Sequence, residues 1–97
     1  MERGGYIYIL TNKNHTVLYT GVTSNLSNRL YEHRTGKYKT SFTYKYNAKE
    51  MVYYEGFLSI EEAISREKQI KAGSRQKKLD LISGFNPEWK DLSNTIE

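Results

Sequence analysis

Two short runs, residues 6–11 and 17–22, are rich in β-branched and aromatic side chains and are separated by the turn-forming stretch around Asn12-Lys13-Asn14-His15. This pair constrains the fold most, because it reads as a β-hairpin whose register decides which side chains meet. With Asn12 to His15 as the loop, Thr11 pairs with Thr16, and Tyr8 lies opposite Tyr19 on the same face. A slip of one residue would send the two rings to opposite faces. The hairpin therefore raises a question: what do two facing tyrosines do in a chain otherwise crowded with lysine, arginine and glutamate?

The next element is a helix over "TSNLSNRLYEHRTG", with Thr23 or Ser24 as N-cap and Gly36 as its stop. At about 100° per residue, Leu26, Arg29, Leu30 and His33 share one arc of roughly 100°. Arg29 and His33 thus project from the side that the leucines bury. Residues 36–50 show no helical period and are polar, so they are expected as a loop or irregular basic flap. "MVYYEGF" supplies a third strand.

"SIEEAISREKQIKAGS" is the clearest helix, with a capping box at Ser59 and Glu62 and a stop at Gly73. Its apolar positions are Ile60, Ala63, Ile64 and Ile70, and Glu67 falls inside their arc of about 120°. Lys71 shares the arc but can extend outward from the last turn. A further helix runs from Ser74 to about Ile82, and Phe85 and Trp89 are expected to anchor the closing segment on the core. The order β-β-α-β-α-α predicts a small α+β fold: a three-stranded antiparallel sheet flanked by helices. One domain is expected over 1–97, its core at about 5–90 and a tail at 91–97.

Charge is uneven beneath a net +4. One basic block holds Arg29, Arg34, Lys37, Lys39, Lys45 and Lys49, and a second holds Arg66, Lys68, Lys71, Arg75, Lys77 and Lys78. From Asp80 onward the chain turns acidic. The basic blocks, with tyrosines threaded through the first, suit a phosphate backbone, or else form an ordinary solvated surface. Cysteine is absent, which removes disulfides and thiolate metal sites, and His15 and His33 alone argue against zinc. The sequence holds no long apolar run and no signal-type segment, so a soluble, cytoplasmic protein with no membrane partner is expected.

A carboxylate in the middle of an apolar helix face needs a partner. For Glu67 that is Arg66, Arg29 or a lysine at the domain edge, or a magnesium or manganese ion that keeps most of its waters. Arg29 can fork two hydrogen bonds onto a phosphate or serve as a plain surface arginine. His33 can exchange a proton near neutral pH or sit satisfied at the helix edge. Tyr8 and Tyr19 can be core aromatics with exposed hydroxyls. A Ser-His-Asp arrangement and a phosphate-cradling glycine loop find no local support.

As an ordered set these residues resemble the GIY-YIG nucleases. Tyr6-Ile7-Tyr8 is similar to the first motif and Tyr19-Thr20-Gly21 to the second, with Tyr6 in place of glycine and Thr20 in place of isoleucine. The motif tyrosines lie eleven positions apart, Arg29 follows Tyr19 by ten, and His33 follows Arg29 by four, as in that family. The chain looks most like small stand-alone bacterial members of the excision-repair-nuclease-like branch.

The resemblance implies a DNA endonuclease with one divalent metal, Mg2+ or Mn2+, and little intrinsic sequence specificity. It further implies that Glu67 binds the metal, Arg29 meets the scissile phosphate, Tyr8 acts as base with Tyr19 positioning water, His33 relays the proton, and Asn86 is the late asparagine. Nucleic acid, DNA first, is the implied partner, with Lys37, Lys39, Lys45, Lys71, Arg75, Lys77 and Lys78 as contacts and a targeting protein as a possible second partner. Two other classes stand beside it. One is a silent module gripping single-stranded or branched DNA through Tyr38, Tyr44 or Tyr46; the other is an interaction domain using the tail from Phe85 to Glu97.

Overall fold

The computed structural model describes residues 4–37 and 42–95; Tyr38 and Lys39, singled out above, lie outside them. Its elements run β1 (Gly5–Thr11), β2 (Leu18–Thr23), α1 (Leu26–Thr35), α2 (Phe42–Lys45), β3 (Glu50–Phe57), α3 (Ile60–Ala72), α4 (Arg75–Phe85) and a 3₁₀ turn, Leu92–Thr95. The three strands form one antiparallel sheet in the order β2-β1-β3. This is the expected α+β arrangement, and α2 is an addition within the stretch expected to be irregular.

The hairpin register differs from expectation by two residues. Thr11 pairs with Leu18, Leu10 with Tyr19 and Tyr8 with Gly21. The cause is Asn12, whose Oδ1 accepts from the backbone N–H of Thr16 (2.8 Å) and Val17 (3.3 Å), drawing both residues into the turn. Thr11 Oγ1 closes it by donating to the Val17 carbonyl at 2.7 Å. A shift of two preserves parity, so Tyr8 and Tyr19 stay on one face, diagonal rather than opposed.

Alternation along β1 sends Ile7 and Ile9 to one face and Tyr8 and Leu10 to the other. The first face packs under α3 and α4 with Val52, Ala63, Ile70 and Ile82. The second packs under α1 with Leu26, Leu30, Ala48 and Met51. Val52 and Tyr53 are neighbours that share the first face, because β3 bulges there opposite Ile9 and Leu10.

Helix ends follow local chemistry. α1 is capped by Asn25, not Thr23 or Ser24: its side chain accepts from the Asn28 N–H at 3.0 Å, while Thr23 makes a tight turn onto Asn25. Gly36 ends α1 with φ 68°, a left-handed position that favours glycine. The capping box of α3 is formed, with Ser59 and Glu62 bonding reciprocally. α4 runs past Ile82, through Gly84, to Phe85. Phe85 remains exposed although it meets Tyr53 and Tyr54 edge-on, and Trp89 packs half-buried against His15 with ring centroids 4.9 Å apart. Residues 91–95, expected as a tail, return to β3, where Asp91 Oδ1 accepts from the Met51 N–H at 3.1 Å. No helix among the described residues is long and apolar enough to cross a membrane.

Candidate active site

On the α1 face, Tyr8 lies across Gly21. A Cβ at Gly21 would fall 2.4 Å from the Tyr8 ring, so only glycine leaves the phenol its place. Tyr8 is wholly buried. Its hydroxyl meets His33 Nε2 at 3.1 Å, and His33 Nδ1 meets Thr43 Oγ1 at 2.8 Å. The Arg29 guanidinium also lies against the Tyr8 hydroxyl and opposes the rise in its pKa. Guanidinium can only donate. The Tyr8 proton therefore goes to Nε2 and the imidazole proton sits on Nδ1, a tautomer assigned from these partners. The chain of donors runs Arg29 to Tyr8 to His33 to Thr43.

Tyr19 completes the cluster, its ring centroid 6.4 Å from Tyr8 and 5.8 Å from His33. It is half-buried and faces a cleft of about 270 Å³ lined with Leu18, Thr20, Phe42, Lys71 and Lys78.

Depth divides the two tyrosines. Burial, with Tyr19 beside it, pushes the Tyr8 phenol far above its ordinary value despite Arg29. Burial, aided by Arg29 and opposed by Glu32, pushes His33 below its ordinary value and keeps it neutral at neutral pH. The structure buries Tyr8, the tyrosine expected as base, with its hydroxyl against His33, and of the two tyrosines Tyr19 is the one that a water can reach.

Arg29 pairs with Glu32 at 3.2 Å, and Glu32 also takes Lys37 at 3.2 Å. Glu67 lies in the buried stripe of α3, between Ala63 and Ile70, its side chain 14% exposed and paired with Lys71 Nζ at 2.8 Å. Of the partners considered for it, Arg66 is instead bound to Glu55 and Arg29 to Glu32. Lys71 also lines the Tyr19 cleft, which carries the α3 carboxylate's partner to the edge where the two faces of β2 meet. Ile64, expected on the apolar arc, lies off this stripe and is exposed.

Asn86 belongs elsewhere. Its Nδ2 donates to the Val52 carbonyl at 3.1 Å and the Lys90 carbonyl at 2.8 Å, and its Oδ1 accepts from the Lys90 N–H at 3.1 Å. The amide is spent on clamping the β3 bulge, which leaves it no donor for a substrate. Lys77 and Lys78 line a groove of about 390 Å³ between α3 and α4 with Arg66, Gln69 and Leu81. Arg75 donates to the Thr16 carbonyl, and Lys45 lies over the Tyr46 ring.

Sequence reasoning missed Thr43 and Glu32. Nothing in the aperiodic flap marks Thr43, whereas the three-residue spacing of Arg29 and Glu32 on one helix was a usable signal.

Residues 4–80 match the GIY-YIG catalytic domain, a span that includes Tyr8, Tyr19, Arg29, His33 and Glu67 and stops short of Asn86. The chain belongs to the GIY-YIG family. Its relatives are small proteins designated UPF0213. One from Syntrophus aciditrophicus is 43% identical over 86% of this chain and 93% of its own length. Another, from Clostridium perfringens, is 42% identical over 94% of this chain and 96% of its own. The solution NMR structure of a UPF0213 protein from Bacillus halodurans superposes with a TM-score of 0.58 at 32% identity, covering 90% of each chain.

Proposed function

We propose that the chain is a divalent-metal-dependent endonuclease that hydrolyses phosphodiester bonds in DNA with little intrinsic sequence preference. The observation that carries this reading is the convergence of Tyr8, Tyr19, His33 and Arg29 beside a cleft that Lys71 joins to Glu67. The donor set fits a hydrated magnesium or manganese ion. Glu67 offers one sheltered carboxylate, which suits a hard cation held mainly by water and phosphate. Glu67 would hold such an ion, which would supply polarisation of a phosphate oxygen and offset charge on the leaving 3′-oxygen.

The chain's own residues do the rest. Arg29 swings from Glu32 to fork onto the scissile phosphate and opposes the charge that builds there. Tyr19 orients the attacking water. Neutral His33 takes a proton only by way of the Tyr8 hydroxyl, which occupies its Nε2, the ring nitrogen that carries none. Lys71 and Lys78 at the cleft, then Lys77 in the α3–α4 groove, give the backbone a continuous basic track, since Lys78 lines both. Placement in the excision-repair-nuclease-like branch, and with it a part in DNA repair, belongs to this proposal and rests on the likeness of the chain as a whole to small stand-alone members.

The test is cleavage of labelled single-stranded, duplex, flap and branched DNAs by wild type and Glu67→Ala, with manganese or magnesium and with chelator. Metal-dependent cutting by wild type alone is expected. Cutting that persists in Glu67→Ala would remove the metal role of this residue. A second reading, a silent binding module, draws support from the ion pairs that already occupy Arg29 and Glu67. Binding without cutting in every metal would establish it instead.

A further inference from the structure

Three rings form a row that leads from solvent to the candidate site. Tyr46 and Phe42 have centroids 4.7 Å apart, and Phe42 lies 6.0 Å from Tyr19 with planes only 25° from parallel. Phe42 and Tyr46 are 43% and 42% exposed. Single exposed aromatics are common on protein surfaces. Two in contact, in line with a third that faces a cleft, form a platform.

The charges around it are cationic. Lys45 Nζ sits 5.4 Å from the centre of the Tyr46 ring, and Lys71 and Lys78 line the cleft beside Phe42 and Tyr19. Flat apolar walls with ammonium groups at the rim complement an aromatic heterocycle that has a phosphate on either side. A protein hydrophobic segment would satisfy the rings but offer nothing anionic to Lys45 and Lys78, the cations there besides Lys71, which already holds Glu67.

We propose that the Phe42–Tyr19 cleft docks one unstacked nucleobase next to the scissile phosphate, which selects single-stranded nucleic acid, or a single-stranded arm of a branched one, over uninterrupted duplex. This rests on the nucleic-acid reading of the site and names its substrate class. In a duplex the bases are stacked on one another and offer no free face to a side-chain ring. The platform then contributes nothing, and the lysines alone contact the backbone.

The experiment uses the full chain with chelator present, so that no cleavage intervenes, and single-stranded DNA carrying one 2-aminopurine, with a duplex of the same sequence for comparison. Wild type is expected to quench the fluorophore on binding the single strand. Phe42→Ala should weaken single-strand binding by roughly 10-fold and duplex binding by about twofold at most, and Phe42→Trp should retain both affinities. Absence of quenching with wild type overturns the proposal whatever the variants do, as does an equal loss for single strand and duplex in Phe42→Ala. Quenching by a protein that never cuts would sink the nuclease reading and leave base docking standing. Duplex cutting with no quenching would do the reverse.

Discussion

The two faces of the sheet are built on different terms although they share every strand. Under α3 and α4, Ile7, Ile9, Val52, Ala63, Ile70 and Ile82 pack by volume and shape, and polar groups on that side, Thr11, Glu67 and the Tyr53 hydroxyl among them, are each paired separately. Under α1, Leu10, Leu26, Leu30 and Met51 surround a phenol that is hydrogen-bonded in series to an imidazole and a threonine. Among the described residues no buried side-chain polar atom lacks a partner, so that series is complete. A face held by packing fails in proportion to lost volume, whereas one held by directed bonds fails wherever one atom is removed.

Ile9→Ala probes the packed face and should have the largest effect. The residue is wholly buried, and its truncation should cost about 2–5 kcal/mol in urea unfolding. The His33 resonances should not move, because the cavity opens on the opposite side of β1. Movement of His33 as large as that caused by a change beside Tyr8 would mean that the faces are one coupled core.

Gly21→Ala probes the other face at its tightest point. The new Cβ would lie 2.4 Å from the buried Tyr8 ring, which cannot swing into solvent. Overpacking should cost about 1–3 kcal/mol. It should also part Tyr8 from His33, read as a change in the imidazole tautomer by nitrogen NMR. An unchanged tautomer would show that the ring accommodates the methyl without releasing His33.

The same contrast explains what the sequence made legible. Glu67 could be read because a stripe of buried positions frames it, and the α3 capping box because its partners lie three residues apart. Register, caps and clamps were harder. Asn12 moves the hairpin by two through hydrogen bonds of its side chain, which no hydrophobic pattern records, yet the faces came out right because burial fixes parity. Three consecutive capping residues precede α1, and only the Thr23 turn selects Asn25. α4, expected to end at about Ile82, runs on to Phe85 with Gly84 inside it. In "MVYY" every residue is apolar or aromatic, so alternation could not reveal the bulge that Asn86 clamps. The depth of the two tyrosines was equally hidden: spacing placed both rings together, but which one water can reach is a property of the assembled face.

Asn86→Ala comes next in size, since it strips the Val52 carbonyl of its donor and the Lys90 N–H of its acceptor. A loss of about 1–3 kcal/mol is expected, with cleavage per folded molecule unchanged. A deep fall in turnover with full stability would return this residue to the site.

The smallest effect, and the sharpest test of the directed chain, belongs to Thr43→Val. The substitution keeps the shape of a buried side chain and removes the oxygen that takes the His33 Nδ1 proton. Stability should fall by roughly 1 kcal/mol, and nitrogen NMR should show the Nδ1–H tautomer losing its hold, with Thr43→Ser restoring it. The pH dependence adds a sign. His33 is depressed by burial, so its contribution is fully present above about 6.5, the unfolded value, and is lost as pH falls through the lower folded value, because the unfolded chain binds the proton first. Thr43→Val should leave that direction intact, because desolvation and Arg29 rather than Thr43 set it. If the tautomer stays fixed in Thr43→Val, then Tyr8 alone orients the imidazole, and the flap carrying Thr43 is joined to this face by packing, as the opposite face is throughout.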